Sequence, residues 1–353
     1  MTKGNSMEFI TANTTLSKTN SSQAAVLHSK ENINYSIEQI NPPCFIPTEI
    51  ANTTNDTLNT DTEKMAKPFL KWAGGKKQLI EVIRQYYPFT QTITKYAEPF
   101  VGGGAILFDI LNNFKLKQIY ISDINPNLIK TYSCIRDSLH ELLELLKKYQ
   151  NEYIPLTAES RRIYYNEKRR LFNNKTNLSD IEKASLLIFL NKTCFNGLYR
   201  VNKKGEFNVP MGTYKNPAIY DERNLYLVSQ KLQNIEINCA DFTNSFDFID
   251  NQTFVYFDPP YRPLSQTASF TSYAENEFDD TAQRTLAQFI EKIDKKGAKF
   301  LLSNSDPKNL DENDMFFEDL YSNYKIKRTK AARMINCKSE ARGTINELLI
   351  SNF

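Results

Sequence analysis

The sequence predicts an α/β fold, in which a mostly parallel sheet is covered by helices on both faces. Two observations support this class. Short, apolar, β-prone runs recur along the chain, as expected for buried strands. Between them lie stretches with apolar residues at helical spacing, such as Leu286, Phe289, Ile290 and Ile293 on one face of the predicted helix 281–295. This alternation is typical of consecutive βαβ units.

Predicted strands and helices alternate along the chain, except in one segment in its middle. Strands are expected over residues 95–98, 118–122, 253–257, 299–303 and 347–351. Helices are expected over residues 79–86, 127–148, 158–172, 181–192 and 281–295. Between about residues 154 and 234 the alternation ends, and the sequence becomes helical and then turn-rich. We interpret this segment as a mainly helical lobe with a β-hairpin, inserted into the α/β domain.

The resulting boundaries are 65–153 and 236–353 for the α/β domain and 154–235 for the inserted lobe. Residues 1–64 are dominated by Thr, Asn and Ser and show no apolar period, so we expect a disordered, low-complexity tail. The string NPPCF at 41–45 resembles methyltransferase motifs. It lies in this tail with no strand before it, and we regard the likeness as coincidental.

The composition excludes several classes of protein. With 353 residues, 41% of them hydrophobic and 24% charged, the chain has a globular composition. Its five scattered cysteines and two histidines predict no metal site, and free thiols fit a reducing cytoplasm. No apolar run is long enough to span a membrane. The net charge of +3 does not by itself indicate a nucleic-acid partner, although the runs 161–170 and 325–342 are strongly basic.

A glycine turn follows the first predicted strand, in YAEPFVGGGAILFDIL (96–111). Gly102, Gly103 and Gly104 permit a tight turn and a close approach to a ligand. Asp123 ends the next strand, where a carboxylate can hold the hydroxyls of a ribose. Alone, the glycines indicate only a turn, and Asp123 could simply cap a helix. Together they favour a nucleoside-bearing cofactor.

The string TFVYFDPPYRPLS (253–265) carries the second group of candidate residues. Its apolar half predicts a buried strand, so Asp258 lies at a carboxyl strand end, where open α/β sheets bind ligands. Pro259 and Pro260 lack an N–H and have a fixed φ, which makes the turn stiff. This arrangement suits a planar group with an exocyclic amine. The carboxylate and a main-chain carbonyl can accept its two N–H groups, and the ring of Tyr261 offers a surface for stacking. The alternative is an ordinary capped turn, since Asp-Pro is common in turns.

Five strings resemble, in order, the motifs of the Dam family of S-adenosylmethionine-dependent DNA adenine-N6 methyltransferases (group α, D12 class). They are FLKWAGGK (69–76), EPFVGGGA (98–105), DIN (123–125), NGLYRVNKKGEFNVPMG (196–212) and DPPYRPLSQTASFTSY (258–273). The resemblance runs from about Pro68 to the C-terminus. It implies a Rossmann-like methyltransferase sheet, S-adenosyl-L-methionine as cofactor and double-stranded DNA as partner.

The resemblance also implies roles for individual residues. Asp258 and the carbonyl of Pro259 would accept hydrogen bonds from the target amine, with Tyr261 stacked on the base. The implied cofactor-binding residues are Trp72, Lys76, Phe100, Gly102, Gly104, Asp123, Asp241 and Asp258, with no metal. The implied DNA-binding residues are Lys71, Phe195, Asn196, Leu198, Arg200 and Pro210, of which Phe195 would insert into the duplex to help flip the base. The two basic runs become candidates for phosphate contacts.

The expected function is site-specific methylation of adenine N6 in double-stranded DNA, with GATC as target, by base flipping and direct transfer. Alternatives are methylation of RNA or of protein glutamine, an NAD-dependent oxidoreductase, and a non-catalytic DNA-binding module. DPPY in place of NPPY disfavours the glutamine enzymes. The oxidoreductase is disfavoured because Leu107 occupies the last position of the dinucleotide fingerprint G-x-G-x-x-G, and by the DPPY string. The intact pair of acceptors, Asp258 and the Pro259 carbonyl, disfavours the non-catalytic module. We expect a cytoplasmic location. The sequence does not distinguish a solitary enzyme from one with a cognate restriction endonuclease encoded nearby.

Overall fold

A seven-stranded sheet organises the protein in the computed structural model, which describes residues 65–72, 74, 76, 78–174, 178–262, 278–332 and 344–353. The strands are β1 (Lys95–Glu98), β2 (Gln118–Asp123), β3 (Glu236–Cys239), β4 (Thr253–Phe257), β5 (Lys299–Ser305), β6 (Lys325–Ala332) and β7 (Thr344–Ser351). The α-helices are α1 (Ile80–Arg84), α2 (Ala105–Asn113), α3 (Pro126–Asp137), α4 (Leu139–Tyr153), α5 (Ala158–Asn173), α6 (Asp180–Thr193), α7 (Glu222–Leu232), α8 (Asp280–Lys295) and α9 (Phe316–Leu320). The predicted tail and its NPPCF string lie outside the described residues.

The strand order is β3-β2-β1-β4-β5-β7-β6. Strands β1 to β5 are parallel to one another, whereas β7 lies between β5 and β6 and is antiparallel to both. The predicted α/β class, with a mostly parallel sheet, is confirmed.

Helices cover both faces of this sheet, also as predicted. Phe254 and Tyr256 of β4 belong to a hydrophobic cluster shared with helices α1 to α7. Val255 and Phe257 belong to a second cluster, shared with α8, α9 and the 3₁₀ turn Phe242–Phe246. Successive side chains of a strand point to opposite faces, so β4 is buried on both sides, which explains its uninterrupted apolar sequence.

The segment predicted as an inserted lobe shares the first of these clusters. Within it, α6 is buried on all sides along residues 184–191 and packs against α3, α4 and α5. A helix surrounded in this way has no polar face, which accounts for its continuous run SLLIFLN. The lobe therefore presents its 3₁₀ turn Phe195–Gly197 from a rigid helix end.

The single helix predicted over 127–148 is wrong, because the structure has two helices with a break at Ser138. This residue has non-helical backbone angles (φ −140°, ψ 41°), and its N–H still bonds the Cys134 carbonyl. Next to the break, Arg136 donates to the Ile235 carbonyl at 2.9 Å. The end of α3 is thereby held beside the start of β3, while α4 departs in a new direction.

Candidate active site

The sheet topology brings two loops from distant parts of the sequence together. β1 pairs with both β2 and β4, and the connections from β1 and from β4 proceed toward opposite edges of the sheet. This reversal leaves a crevice at the carboxyl ends of β1 and β4, which is where open α/β sheets bind ligands. The glycine turn (residues 102–104) follows β1, and Asp258 follows β4.

Asp258 is held by two donors on one oxygen. Lys76 Nζ lies 2.6 Å from Asp258 Oδ1, and Ser303 Oγ donates to the same oxygen at 3.2 Å. The Lys76 side chain is 3% exposed and that of Asp258 is 21% exposed, so the lysine is shielded while the carboxylate keeps some access. Burial raises the pKa of Asp258, whereas the charge and the hydrogen bond of Lys76 oppose the rise. Lys76 thus favours the ionised carboxylate.

Lys76 also orders the tyrosine of the DPPY string. Its ammonium donates to the Gly74 carbonyl at 3.1 Å and to the Tyr261 hydroxyl at 2.8 Å. The Tyr261 hydroxyl donates in turn to Glu347 Oε2 at 2.8 Å. Burial raises the pKa of Tyr261, and the charges of Asp258 and Glu347 raise it further, so the hydroxyl stays protonated. The polar end of the ring is therefore fixed.

The proline turn is anchored from behind. The Pro260 carbonyl accepts from Gln283 Nε2 at 3.3 Å, and Gln283 Oε1 accepts from Asn304 Nδ2 at 3.3 Å. Both amide side chains are fully buried. Directly after the turn, the guanidinium of Arg262 donates to Asp280 Oδ1 at 2.6 Å. These contacts restrict the turn on both sides, in addition to the stiffness that the prolines supply.

The glycine turn requires glycine for its angles and for its packing. Gly102 (φ 48°) and Gly104 (φ 74°) have left-handed backbone angles that other residues rarely adopt. A Cβ at Gly104 would lie 2.5 Å from the Tyr132 hydroxyl, and a Cβ at Gly102 would lie 3.0 Å from Trp72 Cδ1. The Tyr132 hydroxyl also donates to the Gly102 carbonyl at 3.0 Å. Two aromatic side chains therefore determine the position of the turn.

Asp123 is bonded directly to the glycine turn. Its Oδ2 accepts from the Gly102 N–H at 3.1 Å, and its Oδ1 accepts from the Asn125 N–H at 2.9 Å. Burial raises the pKa of Asp123, and these backbone donors oppose the rise. The alternative that Asp123 caps α3 is excluded, because the cap is the side chain of Asn125. Ile124, which the sequence analysis overlooked, is 56% exposed beside the carboxylate.

Asp241 and Phe100, two more residues of the predicted cofactor set, lie near the carboxyl end of β3. Ala240 N–H donates to the Asp123 carbonyl at 3.2 Å, which keeps the following Asp241 beside the end of β2. Asp241 is exposed and caps the 3₁₀ turn that follows it. Phe100 stacks on Phe242 of that turn, with ring centroids 5.5 Å apart. Both residues therefore border the crevice that also contains Asp123.

Three polar residues of the crevice were missed by the sequence analysis, namely Glu98, Ser303 and Glu347. Glu98 ends β1, is 2% exposed and accepts from the Tyr96 hydroxyl at 2.8 Å. Burial raises the pKa of Glu98 well above its ordinary value, and the nearby charge of Asp258 raises it too. Burial likewise raises the pKa of Glu347. Glu98 ends β1, and that position is a signal that could have identified it, whereas Ser303 and Glu347 lie inside β5 and β7 and carry no such signal.

The predicted DNA-binding residues of the lobe lie on one antiparallel hairpin, residues 194–211, which we call the lobe hairpin. Val201 pairs with Phe207 across it, and the Phe195 N–H donates to the Pro210 carbonyl at 2.8 Å. Phe195 is 51% exposed, and Asn196 beside it is exposed with a left-handed φ of 54°. A large exposed aromatic ring at a rigid turn is unusual for a core residue, so the alternative of a core phenylalanine is excluded.

Arg200 and Leu198 lie on the same hairpin. Arg200 is exposed, and its Nε donates to Asn208 Oδ1 at 2.7 Å across the hairpin. Asn208 N–H returns a hydrogen bond to the Arg200 carbonyl at 3.0 Å. The guanidinium is therefore directed by a neighbouring side chain, and Leu198 is half-buried beside it.

Lys71, the remaining predicted DNA contact, is joined to the lobe by one buried side chain. Asn191 is fully buried, and its Oδ1 accepts from the Lys71 N–H at 2.9 Å. Its Nδ2 donates to the Lys71 carbonyl at 2.8 Å and to the Gly197 carbonyl at 2.9 Å. The segment before the sheet and the lobe hairpin are thus held in one arrangement.

Some basic residues of the run 161–170 make contacts within the protein and are therefore not available for DNA phosphates. The guanidinium of Arg161 donates to several main-chain carbonyls, including those of Tyr153 at 3.2 Å and Lys215 at 2.7 Å. Lys168 lies over the rings of Tyr149 and Tyr164. These two residues are engaged within the lobe, so the prediction of phosphate contacts is retained only for the exposed members of the run.

The described part of the chain contains no cluster of residues that could hold a metal ion. Within the same ranges, no helix is long and apolar enough to cross a membrane.

Comparison with known proteins identifies the family. The sequence model of the D12 class N6 adenine-specific DNA methyltransferases matches residues 72–335. The type II methyltransferase M.MjaIII of Methanocaldococcus jannaschii is 49% identical over 292 residues, which cover 81% of this chain and 99% of the relative. The type II methyltransferase M1.LlaDCHI of Lactococcus lactis is 36% identical, with coverages of 81% and 95%. The DNA adenine methylase of Haemophilus influenzae is 37% identical, with coverages of 80% and 92%. The chain belongs to the D12 class of N6 adenine-specific DNA methyltransferases.

Proposed function

We propose that the protein transfers a methyl group from S-adenosyl-L-methionine to N6 of adenine in double-stranded DNA. The observation that carries this proposal is the Asp258 carboxylate beside Lys76, at the sheet crevice that the glycine turn also borders. A carboxylate at this place, whose ionised form Lys76 favours, can accept a hydrogen bond from an amine, and membership of an adenine-specific family supports adenine as the base that carries it.

The residues around the glycine turn fit S-adenosylmethionine, which supplies an electrophilic sulfonium methyl group when bound. Asp123 would hold the ribose hydroxyls, because its carboxylate is already positioned by backbone donors. Asp241, Phe100 and Ile124 would border the adenine ring of the cofactor. Trp72 and Lys76 would close the pocket from the N-terminal side, with Gly102 and Gly104 against the methionine portion.

In the proposed reaction Asp258 and the Pro259 carbonyl accept the two N–H groups of the target amine. The lone pair of adenine N6 is delocalised into its ring, so the free amine is a poor nucleophile. Two acceptors would draw the amine toward a tetrahedral geometry and return electron density to nitrogen as the N–C bond forms. The methyl–sulfur bond would break at the same time and release S-adenosylhomocysteine, and the surplus proton of N6 would leave along its hydrogen bond to Asp258. Because this stabilisation grows toward the transition state, it accelerates the transfer itself. Tyr261 would stack on the base with a ring orientation set by Lys76 and Glu347.

The target base must leave the duplex to reach this crevice, at a cost of a few kcal/mol. The exposed ring of Phe195, at the rigid turn of the lobe hairpin, supports a role in occupying the space that the base vacates. In this proposal residues 154–235 form the target-recognition domain, and residues 65–153 and 236–353 form the catalytic domain.

We further propose that the target sequence is GATC. Lys71 would contact the first guanine, and Leu198, Arg200 and Pro210 the following base pairs. The two N–H donors of a guanidinium match O6 and N7 of guanine in the major groove, so Arg200 would recognise the guanine opposite the final cytosine.

Two of the relatives are named type II methyltransferases, which supports a cognate restriction endonuclease as partner. A cytoplasmic location belongs to the same proposal.

The test is transfer of a labelled methyl group from S-adenosylmethionine to duplexes that contain GATC or one altered base pair. We expect transfer to adenine N6 of GATC and none by Asp258→Ala, whose circular dichroism spectrum should match that of the wild type. Gln233→Ala, on the distant surface after α7, is the matched control and should retain the rate. Transfer by Asp258→Ala at a near-wild-type rate, or incorporation into RNA or protein in place of DNA, would refute the proposal.

A further inference from the structure

Tyr199 belongs to the lobe hairpin and is linked to the glycine turn through Trp72. Its ring stacks on Trp72, with centroids 5.2 Å apart and planes inclined by 23°. The Trp72 side chain lies directly against the glycine turn, because a Cβ at Gly103 would be 2.9 Å from Trp72 Cβ. The Gly102 N–H of that turn donates to Asp123 Oδ2. A continuous series of contacts therefore runs from the hairpin to the carboxylate assigned to the ribose.

The hairpin side of this series contains the residues proposed to read DNA. Leu198 and Arg200 are the direct chain neighbours of Tyr199, and the backbone at Leu198 is extended (φ −75°, ψ 147°). Arg200 is exposed, whereas Leu198 and Tyr199 both pack against the first hydrophobic cluster, and the ring of Tyr199 also stacks on Trp72. DNA bound at Leu198 and Arg200 would therefore act on the same short backbone segment that carries the Tyr199 ring.

The backbone on the two sides of the stack is also joined. Asn191 bonds both main-chain groups of Lys71, which precedes Trp72, and the carbonyl of Gly197, two residues before Tyr199. The stem of Lys71 lies so close to Gly197 that a Cβ there would be 2.4 Å from Lys71 Cδ. Trp72 and Tyr199 thus sit on two backbone segments that are fixed to one another.

We propose that Tyr199 is a positioning residue that couples DNA recognition to cofactor binding through its stack on Trp72. This inference rests on the function proposed above. Binding of the target sequence at Leu198 and Arg200 sets the position of Tyr199, Tyr199 sets that of Trp72, and Trp72 sets the position of the glycine turn. Binding energies coupled in this way are reciprocal, so the cofactor must tighten DNA binding by the same factor.

The chain offers a direct probe, because Trp72 is its only tryptophan. Its fluorescence and isothermal titration calorimetry would give the dissociation constant of S-adenosylhomocysteine, an unreactive probe, with and without a GATC duplex. We expect the duplex to tighten binding in the wild type. The coupling ratio is the dissociation constant without the duplex divided by that with it. Tyr199→Ala and Tyr199→Leu should reduce this ratio by about two- to tenfold, which corresponds to the loss of one stacked aromatic pair.

Tyr199→Phe is the matched control, since it keeps the ring and loses only the hydroxyl that accepts from Asn127 Nδ2 at 3.4 Å. It should retain the wild-type ratio. A purely structural role would weaken binding with and without DNA alike and leave the ratio unchanged, which would overturn the inference. A wild-type enzyme that methylates DNA but shows no coupling would also overturn it, whereas a wild-type enzyme that does not methylate DNA would refute the proposed function itself.

Discussion

Replacing Lys76 by methionine should move the acid limb of the pH–rate profile to higher pH. Ionised Asp258 accepts an N–H far more strongly than the protonated acid does, so the rate should fall as pH drops through its pKa. Burial raises this pKa, and Lys76 opposes the rise through its charge and a 2.6 Å contact. A charge-assisted hydrogen bond contributes about 1.5–3 kcal/mol, and about 1.4 kcal/mol corresponds to one pKa unit. Without Lys76 the pKa of Asp258 should therefore rise by about one to two units.

The assay is single-turnover methyl transfer to a GATC duplex across the range of about pH 5 to 9, with saturating cofactor. Lys76→Arg keeps the charge and should shift the acid limb less than Lys76→Met. Ser303→Ala removes a neutral donor at 3.2 Å, worth about 0.5–1.5 kcal/mol, and should give a shift of about one unit or less. An acid limb in Lys76→Met that coincides with that of the wild type would refute the reasoning, even if the maximal rate were lower.

Three further predictions concern the cofactor, the target and the fold. Asp123→Ala should weaken binding of S-adenosylmethionine measured by calorimetry, because the ribose and the glycine turn both lose an acceptor; unchanged affinity would contradict the assignment. Arg200→Ala should lower discrimination at the fourth base pair by about 1–3 kcal/mol in kcat/KM ratios, whereas an equal loss on every duplex would indicate a phosphate contact. Gly104→Ala should lower the free energy of unfolding in urea by more than about 1 kcal/mol, since φ is 74° and the new Cβ would lie 2.5 Å from the Tyr132 hydroxyl. Wild-type stability in this variant would mean that the turn relaxes freely.

The centre of the sheet could be predicted because burial on both faces leaves a local signature. β4 and β1 have the predicted bounds: the residues of β4 are all buried and mostly apolar, and three of the four residues of β1 are buried. β3 was missed because its sequence, EINC, is polar, and it lies at the sheet edge with exposed ends. β6 was missed because its sequence, KIKRTKAA, is rich in basic residues, and such a run fits an exposed helix as well as an edge strand.

The site could be predicted where its residues lie within one short string. Asp258 and Tyr261 are close in sequence, and a turn after a buried strand brings them together. Glu347 contacts Tyr261 from 86 residues away, and Ser303 contacts Asp258 from 45 residues away. Such pairings depend on strand order, and the single sequence contains no local pattern from which that order could be read.

The position of β7 between β5 and β6 constrains the order in which the sheet can assemble during synthesis. The ribosome makes β6 before β7, yet among the described strands of the finished sheet β6 pairs with β7 alone. Until β7 emerges, both edges of β6 are open to incorrect pairing with other chains. Lys325, Lys327 and Lys330 are exposed along it, and lysines on an open strand discourage such pairing. The basic character of this strand therefore protects the nascent protein from aggregation, whatever its contribution to the finished enzyme.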